Sequence, residues 1–486
     1  MAESAVNPLV LAVVLLAGVL VCIVPRSKAI AAFLGVGIVI PYDQVLVAGG
    51  LHFPMIRALA LFGLVRIFWA KVSGKEKICS GGMNGIDWAV IILMLFTAID
   101  EVLLWQSQGV IVYQLGNLIT VFGVYFPLRH LLQDDEDVKQ ALRILACVTI
   151  TIAALMTYEH ITGRNPYYAL IGGARPDFSS AIDRGNVFRA RGVFAHPNLS
   201  GAFGGFMMPL FVGWWWKEKR ERKWAALGAV GAVAIPLATG SSTAMSALIG
   251  GVFALCLWPL RRSMKLIRWG IVGALLAGQL YMTSPVWHII SDIDLTGSSS
   301  SYHRYQLVNQ CILHFRDWAL VGAKNYGSWG WDMWDLSDQY VWTADTAGLI
   351  PLIALLAILV YGFKYVGRTR RAVAAEGDRT QEIFIWAVGA SLFANVVAFF
   401  GIGYFDQIIV AWYALLAMIS AVTLASRSAQ TAAAPVEVAA GGAATKFGAL
   451  PAAAAMGSVP AMQPVAARDG RPEMSLPARR TWRQKA

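Results

Sequence analysis

The sequence predicts an all-α polytopic membrane protein with about 13 transmembrane helices and a large extracytoplasmic loop. Three observations carry that expectation. The 486 residues are 57% hydrophobic and only 14% charged, whereas about a quarter of a soluble domain is charged. Apolar runs recur from residue 8 to residue 425, each near the length that a helix needs to cross a bilayer. The runs are continuous rather than alternating, which excludes membrane strands as the main element.

The runs place spans at 8–25, 29–49, 53–70, 86–105, 109–128, 141–160, 198–216, 224–240, 244–260, 266–283, 340–363, 382–403 and 406–425. The second is the softest, because Pro41 and Gly49-Gly50 interrupt it. The opening MAESAVN lacks the basic start of a signal peptide, so the first span is read as retained. Residues 1–427 then form one multi-span domain. From 428 to 486 the chain turns Ala- and Pro-rich with a basic end, the composition of a disordered cytoplasmic tail. No internal repeat is visible, which speaks against a transporter built on inverted repeats.

Lysine sets the orientation. Alternate loops are basic, among them KEKRERK at 217–223 and RRSMKLIR at 261–268, and basic loops stay in the cytoplasm. That puts the N-terminus outside, the tail inside, and every lysine but Lys324 on the inner side. The net charge of +11 then reflects orientation, and no nucleic-acid partner is needed to explain it. Five cysteines, Cys22, Cys79, Cys147, Cys256 and Cys311, form no CxxC and suggest neither a metal site nor a disulfide framework.

Arginine runs against the bias. Arg57, Arg164, Arg175, Arg184, Arg189, Arg191, Arg304 and Arg316 all fall on the expected outer side. An outer face that selects the planar guanidinium and avoids lysine suits an anion. Pairing with Asp177, Asp183, Asp292, Asp294 and Asp317 is the plain alternative. The stretch RARGVFAHPNLSGAFGGFMMPLF, Arg189 to Phe211, places two of these arginines beside His196, at the mouth of the seventh span. Pro197 suits an early helix position and Asn198 can satisfy open amides there. A helix N-terminus flanked by arginines is an anion-binding corner. The small residues that follow admit a close neighbour, helix or lipid.

Two outer segments are long, 161–197 and 284–339. In the second, Leu307, Cys311, Phe315 and Trp318 recur at helical spacing, as in an amphipathic helix lying on the membrane surface. The following NYGSWGWDMWDLSDQY could stack on sugar rings or form an interfacial tryptophan belt.

The pattern RxRGVFxHPNxxGxxxxxxxP resembles the start of the core of the O-antigen ligase and O-antigen polymerase superfamily. SSSSYHRYQLVNQCILHFRDWALVGAKNYG is similar to its second hallmark, and DLSDQYVWTADTAGLIPL to its loop-to-span return. The resemblance covers about 180–425. It implies glycan transfer on the outer face of a bacterial inner membrane, from an undecaprenyl-pyrophosphate donor to a glycan or lipid-linked acceptor, with membrane lipids as the only other partner. By motif, Arg191 and Arg304 correspond to the pyrophosphate-facing arginines. Ligases carry a His-Asn pair where this chain has Ser337-Asp338-Gln339, so a polymerase or exopolysaccharide-type relative fits better.

Such a donor already has a good leaving group. Fixed arginines and helix dipoles stabilise the charge that develops on it without a metal, so no metal and no cofactor are expected. The acceptor hydroxyl needs a group that takes its proton. Candidates are Asp338, chosen by loop position, with Asp335, Glu159, His196 and His303. Arg57, Arg189, His196, Asn198 and His303 are expected to contact substrate, and Asp345, inside the eleventh expected span, is a further functional acid. No DxD, HExxH or Gly-Lys phosphate loop is present, which speaks against nucleotide-sugar use and NTP hydrolysis. A non-enzymatic lipid or polysaccharide transporter and a protein O-oligosaccharyltransferase are the alternatives.

Overall fold

Asn7 opens the first helix, α1 (Pro8–Ile23), by accepting from the Leu9 amide, and Pro8 occupies a position where no amide is needed. The computed structural model describes residues 6–41, 43–48, 51–74, 78–79, 81–172, 188–292 and 300–433. After α1 come α2 (Arg26–Ile30), a π-helical turn over Ala31–Gly35, and α3 (Val36–Val39). This corrects the second expected span. The helix stops at Val39, ahead of Pro41, which disfavours helical backbone in the residue before it. Residues 26–39 therefore reach only about 21 Å, short of the roughly 30 Å hydrocarbon core. The chain instead turns into an antiparallel hairpin of β1 (Val45–Ala48) and β2 (Leu51–Pro54), paired Val45 to Pro54 and Ala48 to Leu51.

Four helices then correspond to the third to sixth expected spans: α4 (Met55–Ser73), α5 (Gly85–Trp105), α6 (Gln108–Leu131) and α7 (Asp135–Thr162). Their starts are chemically marked. Asn84 with Asp87, and Asp134 with Asp137, form reciprocal capping boxes at α5 and α7. The short α8 (Pro166–Ile171) precedes α9 (Pro197–Lys217), α10 (Arg222–Thr239), α11 (Ser242–Cys256) and α12 (Met264–Tyr281). The second long segment carries α13 (Ile289–Asp292), α14 (Ser300–Leu313) and α15 (Phe315–Trp318), and α16 (Gln339–Ala347), α17 (Leu349–Glu376), α18 (Arg379–Phe399) and α19 (Ile408–Ala433) complete the chain.

One further expectation is corrected here. The eleventh expected span is cut by Gly348, whose φ of 89° breaks the rod, so Asp345 lies in the separate nine-residue α16. The apolar side of α14 packs inward as well. Leu307, Cys311 and Trp318 form a small core with Met333, Val341 and Ala344, so part of the expected stripe meets α16, while Phe315 is exposed.

Five helices, α5, α6, α7, α17 and α18, are long and apolar enough to cross a membrane, and α1, α11 and Ile408–Thr423 of α19 are shorter apolar helices. The protein is an α-helical membrane protein. Five of the thirteen expected spans thus meet both tests of length and apolarity among the described residues.

At the centre is α9, packed against α10, α11 and α18. Phe203, Phe206, Phe211 and Trp214 are fully buried there. Its glycines permit the close approach expected of SGAFGG. A Cβ on Gly201 would fall 2.1 Å from the Ala244 Cβ of α11, and one on Gly204 would fall 2.7 Å from the Ala232 carbonyl oxygen of α10. Basic residues of the expected inner loops hold helix ends together. Arg26 meets Asp134 (2.6 Å) and Asp137 (3.0 Å), Lys217 meets Asp135, and Glu382 receives Arg261 (3.0 Å) and Arg370 (2.9 Å). The expected tail, apart from the end of α19, lies outside the described residues.

Candidate functional site

The first turn of α9 is built around His196. Its backbone is extended, and its Nδ1 accepts from the Asn198 amide at 3.1 Å, so histidine, not asparagine, caps the helix, with Pro197 next as expected. Burial, then the charges of Arg189 and Arg191, push the His196 pKa down to about 4. The ring is neutral at physiological pH and supplies a cap rather than a charge.

Asn198, released from capping, becomes a junction. Its Oδ1 accepts from the Arg189 guanidinium (2.9 Å) and from the Ser241 hydroxyl (2.6 Å). Arg189 also donates through Nε to the Thr239 carbonyl at the end of α10 (3.1 Å). Between α10 and α11, Gly240 adopts φ 54°, a left-handed cap that most side chains disfavour. Ser241 then caps α11 by accepting from the Ala244 amide. On the next two residues, the hydroxyls of Ser242 (3.2 Å) and Thr243 (2.9 Å) accept from Arg304, which arrives from α14. Arg304 thus meets the α11 N-terminus directly, and Arg189, more than a hundred residues earlier, is linked to it through Asn198.

Asp338 adds a carboxylate near Arg304. As the N-cap of α16 it accepts through Oδ1 from the amides of Tyr340 (2.8 Å) and Val341 (3.0 Å). Oδ2 is buried and has no hydrogen-bond partner. Burial pushes the Asp338 pKa up to about 7, against the opposing pull of the two amides and of Arg304. Burial likewise pushes Asp345, beside the Cys311 thiol, up to about 7.

Arg191 faces a different pocket. The amides of Arg191 (3.2 Å) and Gly192 (2.8 Å) donate to one carboxylate oxygen of Glu159, and Gly192 has φ 61°. The Arg191 guanidinium lies over the Tyr168 ring, 4.5 Å from its centroid. A cavity of about 240 Å³ opens here, lined by Glu159, Asn165, Tyr168, Phe188, Arg189 and Arg191, with Gly163. Arg189 is the residue common to this cavity and the α11 cluster.

The other expected residues are placed elsewhere. Arg57 bonds Thr120 of α6 (3.2 Å) and the His52 carbonyl (2.9 Å). His303 bonds the Asp332 carbonyl (3.0 Å) and sets its ring edge-on to Trp331. Arg164 and Arg316 are exposed, while Arg175, Arg184, Asp177, Asp183 and Asp294 lie outside the described residues. Among the described residues, no group of three or more His, Cys, Asp and Glu side chains is placed to hold a metal ion.

The hydroxyl run at 239–243, TGSST, carries no charge and so does not stand out from the apolar runs on either side of it. Its signal was legible: glycine then serine between two apolar runs marks a helix end followed by a helix cap. No protein-family model and no curated protein matches this chain.

Proposed function

We propose that the protein is a bacterial inner-membrane glycosyltransferase of the O-antigen polymerase or exopolysaccharide type. It moves glycan from an undecaprenyl-pyrophosphate donor to a glycan or lipid-linked acceptor on the outer face. The observation that carries the reading is the approach of Arg189 and Arg304 to the hydroxyl-lined N-terminus of α11, with the unpartnered Oδ2 of Asp338 close to Arg304. The sequence resemblance and the lysine asymmetry support it.

The roles follow from charge. In transfer, the bond from the anomeric carbon to the pyrophosphate oxygen breaks while a bond to the acceptor oxygen forms. Negative charge grows on the pyrophosphate, where guanidinium forks and helix amides stabilise it. The acceptor's proton passes to Asp338 Oδ2, since Oδ1 is already committed to the helix cap. The pyrophosphate is taken to lie between Arg304 and Arg189, with Arg191 on the neighbouring cavity that Arg189 also lines.

The test is polymer length and lipid-linked intermediate in cells carrying lysine or alanine at Arg189, Arg191 and Arg304, with protein level measured alongside. Loss of Arg304 should slow transfer by a factor on the order of 100 or more, as when one oxyanion donor is removed. Lysine should rescue poorly, because it keeps the charge and loses the fork. Normal polymer from all three alanine variants would overturn the reading.

A further inference from the structure

Residues 325–340 contain three tryptophans, Trp329, Trp331 and Trp334, and three aspartates, with no lysine or arginine. Their burial divides sharply. Met333 is fully buried in the small core with Leu307 and Trp318, whereas Trp331 is 62% exposed and Trp334 74% exposed. An anchored methionine thus projects a tryptophan on either side of it away from the protein.

The turn is held in this shape at a cost. Asp332 has φ 59°, a left-handed conformation that is uncommon outside glycine. His303 fixes it through the Asp332 carbonyl, and its ring meets Trp331 edge-on with centroids 6.2 Å apart. Nearby, Trp329 is stacked flat on His314, at 4.5 Å and 1°. Backbone strain maintained by specific contacts around exposed aromatic rings points to a function for those rings. His303 is the immediate neighbour of Arg304, so α14 supports the turn through one residue and reaches α11 through the next.

We propose that Trp331 and Trp334, with Asp332 and Asp335 beside them, form a binding platform for an uncharged glycan. The apolar faces of sugar rings stack on the tryptophans, and sugar hydroxyls donate to the carboxylates. Charge decides between this and a lipid-interface belt. Asp332 and Asp335 set carboxylate acceptors beside the rings, which sugar hydroxyls can use and a lipid-interface belt does not need. The inference extends the proposed transfer reading by locating the glycan that continues from the transferred sugar, but its test does not require turnover.

The experiment uses the purified full-length protein in detergent, with neutral gluco- and manno-oligosaccharides as probes and tryptophan fluorescence as the readout. The parent should bind. Replacing Trp331 and Trp334 together by alanine should weaken binding about tenfold or more, as expected for losing aromatic contacts worth a kcal/mol or so, and the double phenylalanine variant should retain most of it. Binding is read without a donor or turnover, so a failed transfer reading leaves this result intact. Equal affinity in the parent and the double alanine variant would overturn the proposal. So would no binding by the parent, or selective quenching of these two tryptophans by brominated lipid in vesicles.

Discussion

At Asp338 the atoms that cap α16 also set the chemistry available. Oδ1 is bound by two amides and Oδ2 is left over, buried. The pKa, raised to about 7 by burial, determines the direction of a pH test. A raised carboxyl pKa leaves the group half protonated near pH 7, and a protonated carboxyl cannot take the acceptor's proton. Transfer in membrane vesicles should therefore fall as pH drops below about 7. Asp338→Asn keeps an oxygen for the cap, so it should accumulate normally while transfer drops at least 100-fold across the pH range. Parent-like transfer by Asp338→Asn would remove Asp338 as the base. At this scale the sequence was half legible. Arg189 and Arg304 were visible as arginines on the lysine-poor side, Asn198 at the mouth of an apolar run, and Asp338 by its loop position. Whether His196 or Asn198 caps α9 was not, because both side chains accept from an amide and only the backbone direction decides.

Among elements, the contact of α9 with α11 does the positioning. A methyl group on Gly201 would overlap Ala244, with 2.1 Å between the two Cβ atoms, so Gly201→Ala must separate the two helices at the turn where Asn198 reaches Ser241. Overpacking of this kind costs about 1–3 kcal/mol. The variant should melt lower than the parent and lose transfer activity, and adding Ala244→Gly should restore both. A thermal melt and a transfer assay on the single and paired variants decide it, and no recovery in the pair would show that the methyl does its damage elsewhere. Helices such as α5 and α18 were legible because their apolar runs are long and uninterrupted. The second and eleventh expected spans misled for one reason. Mean apolarity continues through Pro41 and Gly348, while the backbone does not. Nor does apolarity reveal what a face meets: Leu307 and Cys311 of the stripe pack toward α16, while Phe315 is exposed.

Over the whole molecule, the lysine asymmetry is the strongest organising signal. It predicts that 161–197 and 284–339 face outward and that 217–223, 364–381 and the tail face inward. Cysteine substituted at Ser299 should react with a membrane-impermeant reagent in intact cells, while cysteine at Ser426 should not, and the reverse pattern would invert the topology. What no whole-chain property foretold is which of the arginines expected outside gather. That depends on α10 being a single antiparallel return, which brings Ser241 back beside Asn198.

This return has an electrostatic consequence. Because α10 runs back between them in sequence, α9 and α11 begin at the same end of the bundle and touch there, at Gly201 and Ala244. Two partial positive poles therefore lie side by side, with Arg189 and Arg304 added to them. Asp338 offsets part of this positive field near Arg304, and an anion carrying several charges would meet both poles at once. A multivalent anion should act as a thermostabiliser. At a hundred times its dissociation constant, inorganic pyrophosphate should add about 2.7 kcal/mol to the unfolding free energy and raise the melting temperature. Chloride at matched ionic strength should leave it nearly unchanged, and Arg304→Ala should abolish the difference between the two salts.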